Sequence, residues 1–183
     1  IGEECHFYEF TKENVVEFAE KGNVEAMKSY SFMLVTGTHF PKDTEKAIYY
    51  MKKAAEQNDE FALYCYASLL LDSENISDKR EGVEILRKMA NDGNENAMID
   101  CGNCLTFGNG CKIDYEEAIE YYKMASSRKN VEAMFNLGTM YYRGRGTKID
   151  KKKASEYYHL SADLGNKNAM YEYARMLMSG DGI

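Results

Sequence analysis

The chain has 183 residues, 44% of them hydrophobic, enough to bury about 70% of its unfolded surface in one compact domain or short array. One proline, no tryptophan, fifteen tyrosines and eleven methionines suit a mostly helical protein with an aromatic-rich core. A formal charge of -7 argues against affinity for nucleic-acid phosphates, and no run of 18 apolar residues offers a membrane span, so neither nucleic acid nor membrane is an expected partner.

Residues 1–9 fit no periodic pattern and stand as an unassigned N-terminal segment. The start, Ile1-Gly2-Glu3-Glu4-Cys5, has neither the basic nor the apolar part of a signal peptide, so a cytoplasmic location is expected. A chain that begins with isoleucine reads as a fragment of a longer array. From residue 10 onward the periodicity predicts helices over 10–21, 24–36, 44–57, 60–72, 79–92, 95–107, 115–127, 131–143, 151–164 and 167–179.

These helices belong to one repeat. Alanines recur at Ala26, Ala62, Ala97, Ala133 and Ala169, spaced by 36, 35, 36 and 36 residues. A second series, Ala47, Gly82, Ala118 and Ala154, runs in phase, and Gly22, Asn58, Gly93, Lys129 and Gly165 precede each alanine of the first series by four residues. The one missing residue falls in the 72–77 loop. In the first helix of each unit, small or apolar residues stand at offsets 0, 4, 5 and 8 from the alanine, as in Ala133, Leu137, Gly138 and Tyr141, within about 140° of one helical face. The second helix is expected to start at Asp43, Asp78, Asp114 and Asp150, with Glu81 and Glu117 closing capping boxes on Asp78 and Asp114. Tyr121-Tyr122 and Tyr157-Tyr158 then supply bulk opposite the small residues of the first helix.

The run Ala133-x3-Leu137-Gly138-x2-Tyr141-x2-Gly144-x-Gly146, followed by Asp150, Lys153-Ala154, Tyr157-Tyr158 and Gly165, resembles the Sel-1-like repeat, a relative of the tetratricopeptide repeat. The resemblance extends over residues 10–183 and departs from the glycine pair at Gly37-x-His39 and Ser73-x-Asn75. It implies an all-α fold, a right-handed α-solenoid of antiparallel helix pairs, with about four repeats and a half unit at each end. It also implies an adaptor role in protein assemblies. A secreted, cysteine-rich branch resembling this family bridges each helix pair with a disulfide and is associated with beta-lactam binding or hydrolysis. Here the bridging positions hold Ala55 and Leu63, Ala90 and Met98, Ser126 and Met134, and Ala162 and Met170, so all five cysteines are expected to be free.

Other motifs have plain structural readings. Cys101-x2-Cys104-x6-Cys111 has no histidine nearby in sequence and occupies core or loop positions, so no metal is expected. Gly108-Asn109-Gly110 and Gly144-Arg145-Gly146 lack the lysine-serine ending of a phosphate loop and are read as helix ends, so no cofactor is expected. His159 is read as a packing or surface residue and Lys151-Lys152-Lys153 as a solvated first turn, and no residue set has a catalytic arrangement.

Offsets 2, 6 and 10 point away from the packed face of the first helix and would line a concave groove. Offset 2 gives Lys28, Tyr64, Ile99, Phe135 and Tyr171; offset 6 gives Phe32, Ser68, Asn103, Thr139 and Arg175; offset 10 gives Thr36, Asp72, Phe107, Arg143 and Ser179. From these, Tyr64, Ile99, Asn103, Phe135, Thr139, Arg143, Tyr171 and Arg175 are the candidate contacts for a protein or peptide partner, since aromatics interleaved with arginine and asparagine compose binding hot spots. The expected function is a non-catalytic scaffold; the alternative is a small hydrolase or small-molecule binder like the cysteine-rich branch. The last helix, without a following partner, is expected to expose Tyr173, Leu177 and Met178 and to offer a route to self-association.

Overall fold

The computed structural model describes residues 10–182, and within them the only regular structure is ten α-helices. The segment 1–9, with Cys5, His6 and whatever role it has, lies outside the described residues. The chain divides into two compact units, one ending at Ser73 and the other beginning at Glu74. The first contains α1 (Val15–Glu20), α2 (Val24–Thr36), α3 (Thr44–Ala55) and α4 (Glu60–Asp72). The second contains α5 (Ile76–Asn91), α6 (Glu95–Phe107), α7 (Tyr115–Ser127), α8 (Val131–Arg143), α9 (Lys151–Asp163) and α10 (Lys167–Ser179). Within each unit every helix packs on the next, as short connections require of antiparallel neighbours.

The alanine series marks one chemical event per repeat. Asn23, Asp59, Asn94, Asn130 and Asn166 cap the first helices, and each side-chain oxygen accepts the N–H of Ala26, Ala62, Ala97, Ala133 or Ala169 at 2.6–3.0 Å. Each alanine is therefore the third helical residue, where the cap is satisfied and the methyl group is fully buried. The residue just before each cap is left-handed: Gly22, Asn58, Gly93, Lys129 and Gly165 have φ of 87°, 65°, 105°, 66° and 95°. That conformation reverses the chain between helices and favours glycine, so Asn58 and Lys129 hold it against a steric cost.

The second helices start with aspartate in three of four cases. Asp43, Asp114 and Asp150 accept the N–H groups of Lys46, Glu117 and Lys153 at 2.9, 3.0 and 2.9 Å. Their own N–H groups donate to the carbonyls of Leu34, Leu105 and Tyr141, the offset-8 residues of the preceding helix. This leaves no donor for a reciprocal capping box at Asp114. The Glu117 carboxylate instead forms a two-point ion pair with the Arg87 guanidinium, tying α7 to α5. The fourth start differs. Asn75 caps α5 through the N–H of Ser77 at 2.8 Å, so the helix begins at Ile76 and Asp78 sits inside its first turn. The shortened loop has no left-handed glycine after α4; Ser73 is extended and the chain re-enters helix at the first capable side chain. At the other end, α1 starts at Val15 rather than residue 10, because the Asn14 side chain turns back to accept the Thr11 N–H at 2.9 Å.

Large meets small across the pairs. A Cβ on Gly138 would lie 2.7 Å from the Tyr158 ring, and one on Gly102 would overlap Tyr122. The buried tyrosines find polar ends: the Tyr122 hydroxyl donates to Asn103 at 2.8 Å and lies 3.2 Å from Thr106, and the Tyr158 hydroxyl lies 3.1 Å from Thr139. Among the described residues no buried side-chain nitrogen or oxygen lacks a partner.

Candidate protein-binding surface

Seven of the eight candidate contacts lie in the second unit, and they divide by burial. Ile99 is 5% exposed: α6 is packed by both α5 and α7, and the side chain belongs to the core, which corrects its placing on an accessible face. Asn103 is half-buried and spans three helices, accepting from the Tyr122 hydroxyl and, at 3.4 Å, from the Asn136 amide. Phe135 rests against Tyr158 with ring centroids 5.7 Å apart, and Thr139 donates to the Phe135 carbonyl at 3.1 Å. These three are braces with only their edges in solvent. Tyr64, in the first unit, is also half-buried.

The solvent-facing members are Arg143, Tyr171 and Arg175. Tyr171 is 69% exposed, and Arg143 forms no ion pair among the described residues. Arg175 is held in place: it donates to the Glu172 carboxylate at 2.7 Å and to the Tyr142 hydroxyl at 3.2 Å, with its guanidinium 5.0 Å from the Tyr142 ring centroid. Those partners push its pKa further up, so it is a fixed cation. Phe107, at the end of α6, is exposed as well and stands outside the candidate contacts. Its offset of 10, shared with Arg143, is the sequence signal that marks it.

The remaining motifs resolve into structure. Gly108 and Gly144 end their helices with φ of 75° and 64°, and the N–H groups of Gly108 and Asn109 both donate to the Cys104 carbonyl, as those of Gly144 and Arg145 donate to Met140. Amides spent on helix ends cannot cradle a phosphate. The second glycines do something else. A Cβ on Gly110 would lie 2.5 Å from the Lys79 carbonyl oxygen, one on Gly146 2.5 Å from the Tyr115 backbone, and one on Gly182 2.5 Å from the Lys151 backbone. Each loop thus lies directly on the first turn of the preceding repeat's second helix.

Cys65, Cys101, Cys104 and Cys111 are free thiols, and among the described residues no group of three or more histidine, cysteine or acidic side chains could hold a metal. Burial pushes the Cys101 and Cys104 thiols up to about 12. His159 stacks on Tyr173 at 4.8 Å between centroids, with Nδ1 3.3 Å from Asp163. The lysine run is not uniformly solvated: Lys151 pairs with Asp181 at 2.6 Å and Lys153 lies over the Tyr141 ring at 4.5 Å. Among the described residues no helix is long and apolar enough to cross a membrane.

Comparison with curated protein sequences returns no match. Among solved structures, the chain is similar to c5321, a protective antigen of uropathogenic Escherichia coli with an SLR fold, at TM-score 0.79 and 24% identity over 95% of this chain and 38% of that one. It thus spans well under half of that antigen's length. It is also similar to a Sel1 repeat protein of Oxalobacter formigenes, at TM-score 0.74 and 25% identity over 94% of this chain and 78% of that one. A third likeness is to cysteine rich protein B of Helicobacter pylori, at TM-score 0.53 and 27% identity over 70% of this chain and 93% of that one. These likenesses agree with the helix-pair solenoid fold. The Sel1 repeat family model matches residues 24–59, 96–130, 131–166 and 167–183, more than half of the chain, in the phase set by the buried alanines and their caps; the chain belongs to the Sel1 repeat family.

Proposed function

We propose that the chain is a non-catalytic scaffold that holds a peptide or partner domain against the solvent-facing side of its first helices. Proteins built from Sel1 repeats typically mediate protein–protein interaction. The observation that carries the reading for this chain is the exposed set Arg143, Tyr171 and Arg175, with Arg143 on α8, a helix braced by Asn103, Phe135 and Thr139, and Arg175 held by Glu172 and Tyr142. A braced surface presents its anchors with little ordering cost, and tyrosine and arginine are the residue types that concentrate binding energy. The half-buried residues set the spacing of the anchors, and the exposed ones make the contact.

The test is a partner captured with the intact chain and then titrated as a purified protein. Arg143→Ala and Tyr171→Ala should each weaken binding by about 1 to 3 kcal/mol while leaving the melting temperature in place. Unchanged affinity in both variants would move the binding surface elsewhere. The competing hydrolase reading is settled by assaying purified protein against beta-lactams and simple esters, where turnover removed by a single surface substitution would displace the scaffold.

A further inference from the structure

We propose that the first unit carries its own docking cleft, shaped for a partner segment that places an apolar side chain beside a lysine or arginine. The proposal rests on the scaffold reading, and it uses residues outside the surface named there. The cleft has a volume of about 500 Å³ and lies between α2 and the first turn of α4. Phe32 and Phe61 line it while staying 68% and 63% exposed. Two solvated phenylalanines, one from each helix, with Met33 of α2 between the polar ends, form an apolar lining that no part of the described chain covers.

The ends of the cleft differ in chemistry, and that difference selects the occupant. At one end the Lys28 ammonium lies 2.6 Å from Glu25 and 2.8 Å from Asp59, with its nitrogen 5.6 Å from the Phe61 ring centroid. One ammonium set against two carboxylates leaves a net negative charge, carried outward on the exposed Glu25 side chain. At the other end Thr36 and Thr38 share a hydrogen bond of 2.9 Å beside His39, a neutral hydroxyl edge that can accept backbone amides. An apolar side chain between the phenylalanines therefore brings a neighbouring guanidinium or ammonium onto Glu25, a charge-assisted contact. A second copy of this chain is a poor occupant, since its formal charge of -7 meets an acidic rim.

The probe is a phage-displayed library of random heptapeptides panned against the full immobilised chain. Enriched peptides should carry an aromatic or large aliphatic residue within two positions of a lysine or arginine. The synthetic consensus peptide should lose about tenfold or more in affinity against a Phe32→Ser/Phe61→Ser double variant. Glu25→Lys should weaken it several-fold at low salt and less at high salt, which a merely structural effect would not produce. Both phenylalanines are exposed, so the melting curve of the double variant should match that of the parent, and the charge reversal at Glu25 tests the cleft independently of them. Enrichment of acidic or purely polar peptides, absence of enrichment over bare support, or affinity unmoved by these substitutions overturns the proposal. Peptides lost on Arg143→Ala or Tyr171→Ala but indifferent to Phe32 and Phe61 would sink the cleft and leave the scaffold reading intact. Sedimentation that shows a dimer abolished by the double variant would make a second copy the occupant and overturn the proposal equally.

Discussion

Single residues carry the repeat's geometry, and three measurements follow at this scale. Gly138 gives its missing Cβ to the Tyr158 ring, so Gly138→Ala should cost about 1 to 3 kcal/mol by overpacking, read from urea unfolding. Lys129 stands at φ 66° where three of its four counterparts are glycine, so Lys129→Gly should raise stability by roughly 0.5 to 1 kcal/mol by relieving left-handed strain. Burial raises Cys101 and Cys104 from 9.0 to about 12 and Tyr122 from 10.0 to about 12. The unfolded chain therefore sheds these protons at lower pH than the folded one; stability should be untouched below about pH 8 and decline as pH climbs toward 12. Melting temperatures measured from pH 7 to 11 check this, and a flat profile would show that burial does not hold these groups neutral. The two glycines opposite tyrosines were legible in the sequence because close packing leaves a size pattern. The braces were not. Asn103 and Thr139 look like surface residues at their offsets, and only the path of the Tyr122 and Tyr158 hydroxyls shows that they are partly spent.

Helices were legible in number and face, and less so at their ends. The ten expected helices are present, but α5 begins three residues early because Asn75 outcompetes Asp78 for the cap. Asn75→Ala should then cost about 1 kcal/mol, and Asp78→Ala distinctly less. Asp78 keeps the repeat phase of Asp43, Asp114 and Asp150, but a local side chain in reach of an amide overrides phase. The last helix confirms the opposite lesson, that a missing neighbour can be read from the repeat alone. Met134 on α8 is 7% exposed while its counterpart Met170 on α10 is 46%, and Leu177 and Met178 are exposed as expected. Tyr173 is spared in part by its stack on His159. Amide exchange should accordingly be faster along α10 than along α8; equal protection would mean that something covers the α10 face.

For the chain as a whole, the family match leaves out residues 60–95, the stretch that contains the shortened loop, the early start of α5 and the division between the two units. The second unit holds six consecutive helices with its own alanine, cap and glycine contacts. A fragment of residues 74–183 should therefore unfold cooperatively and keep a helical circular dichroism spectrum, and a flat, non-cooperative melt would show that it needs the first unit. The second glycine of each loop gives this modularity a further meaning. Gly110, Gly146 and Gly182 rest on backbone at Lys79, Tyr115 and Lys151, so a tyrosine serves at that place as well as a lysine. A joint made of main chain against main chain does not register which residue is presented to it. Units duplicated or exchanged in phase would mate without any compensating substitution at that seam, so the array can lengthen by copying while its outward side chains diverge.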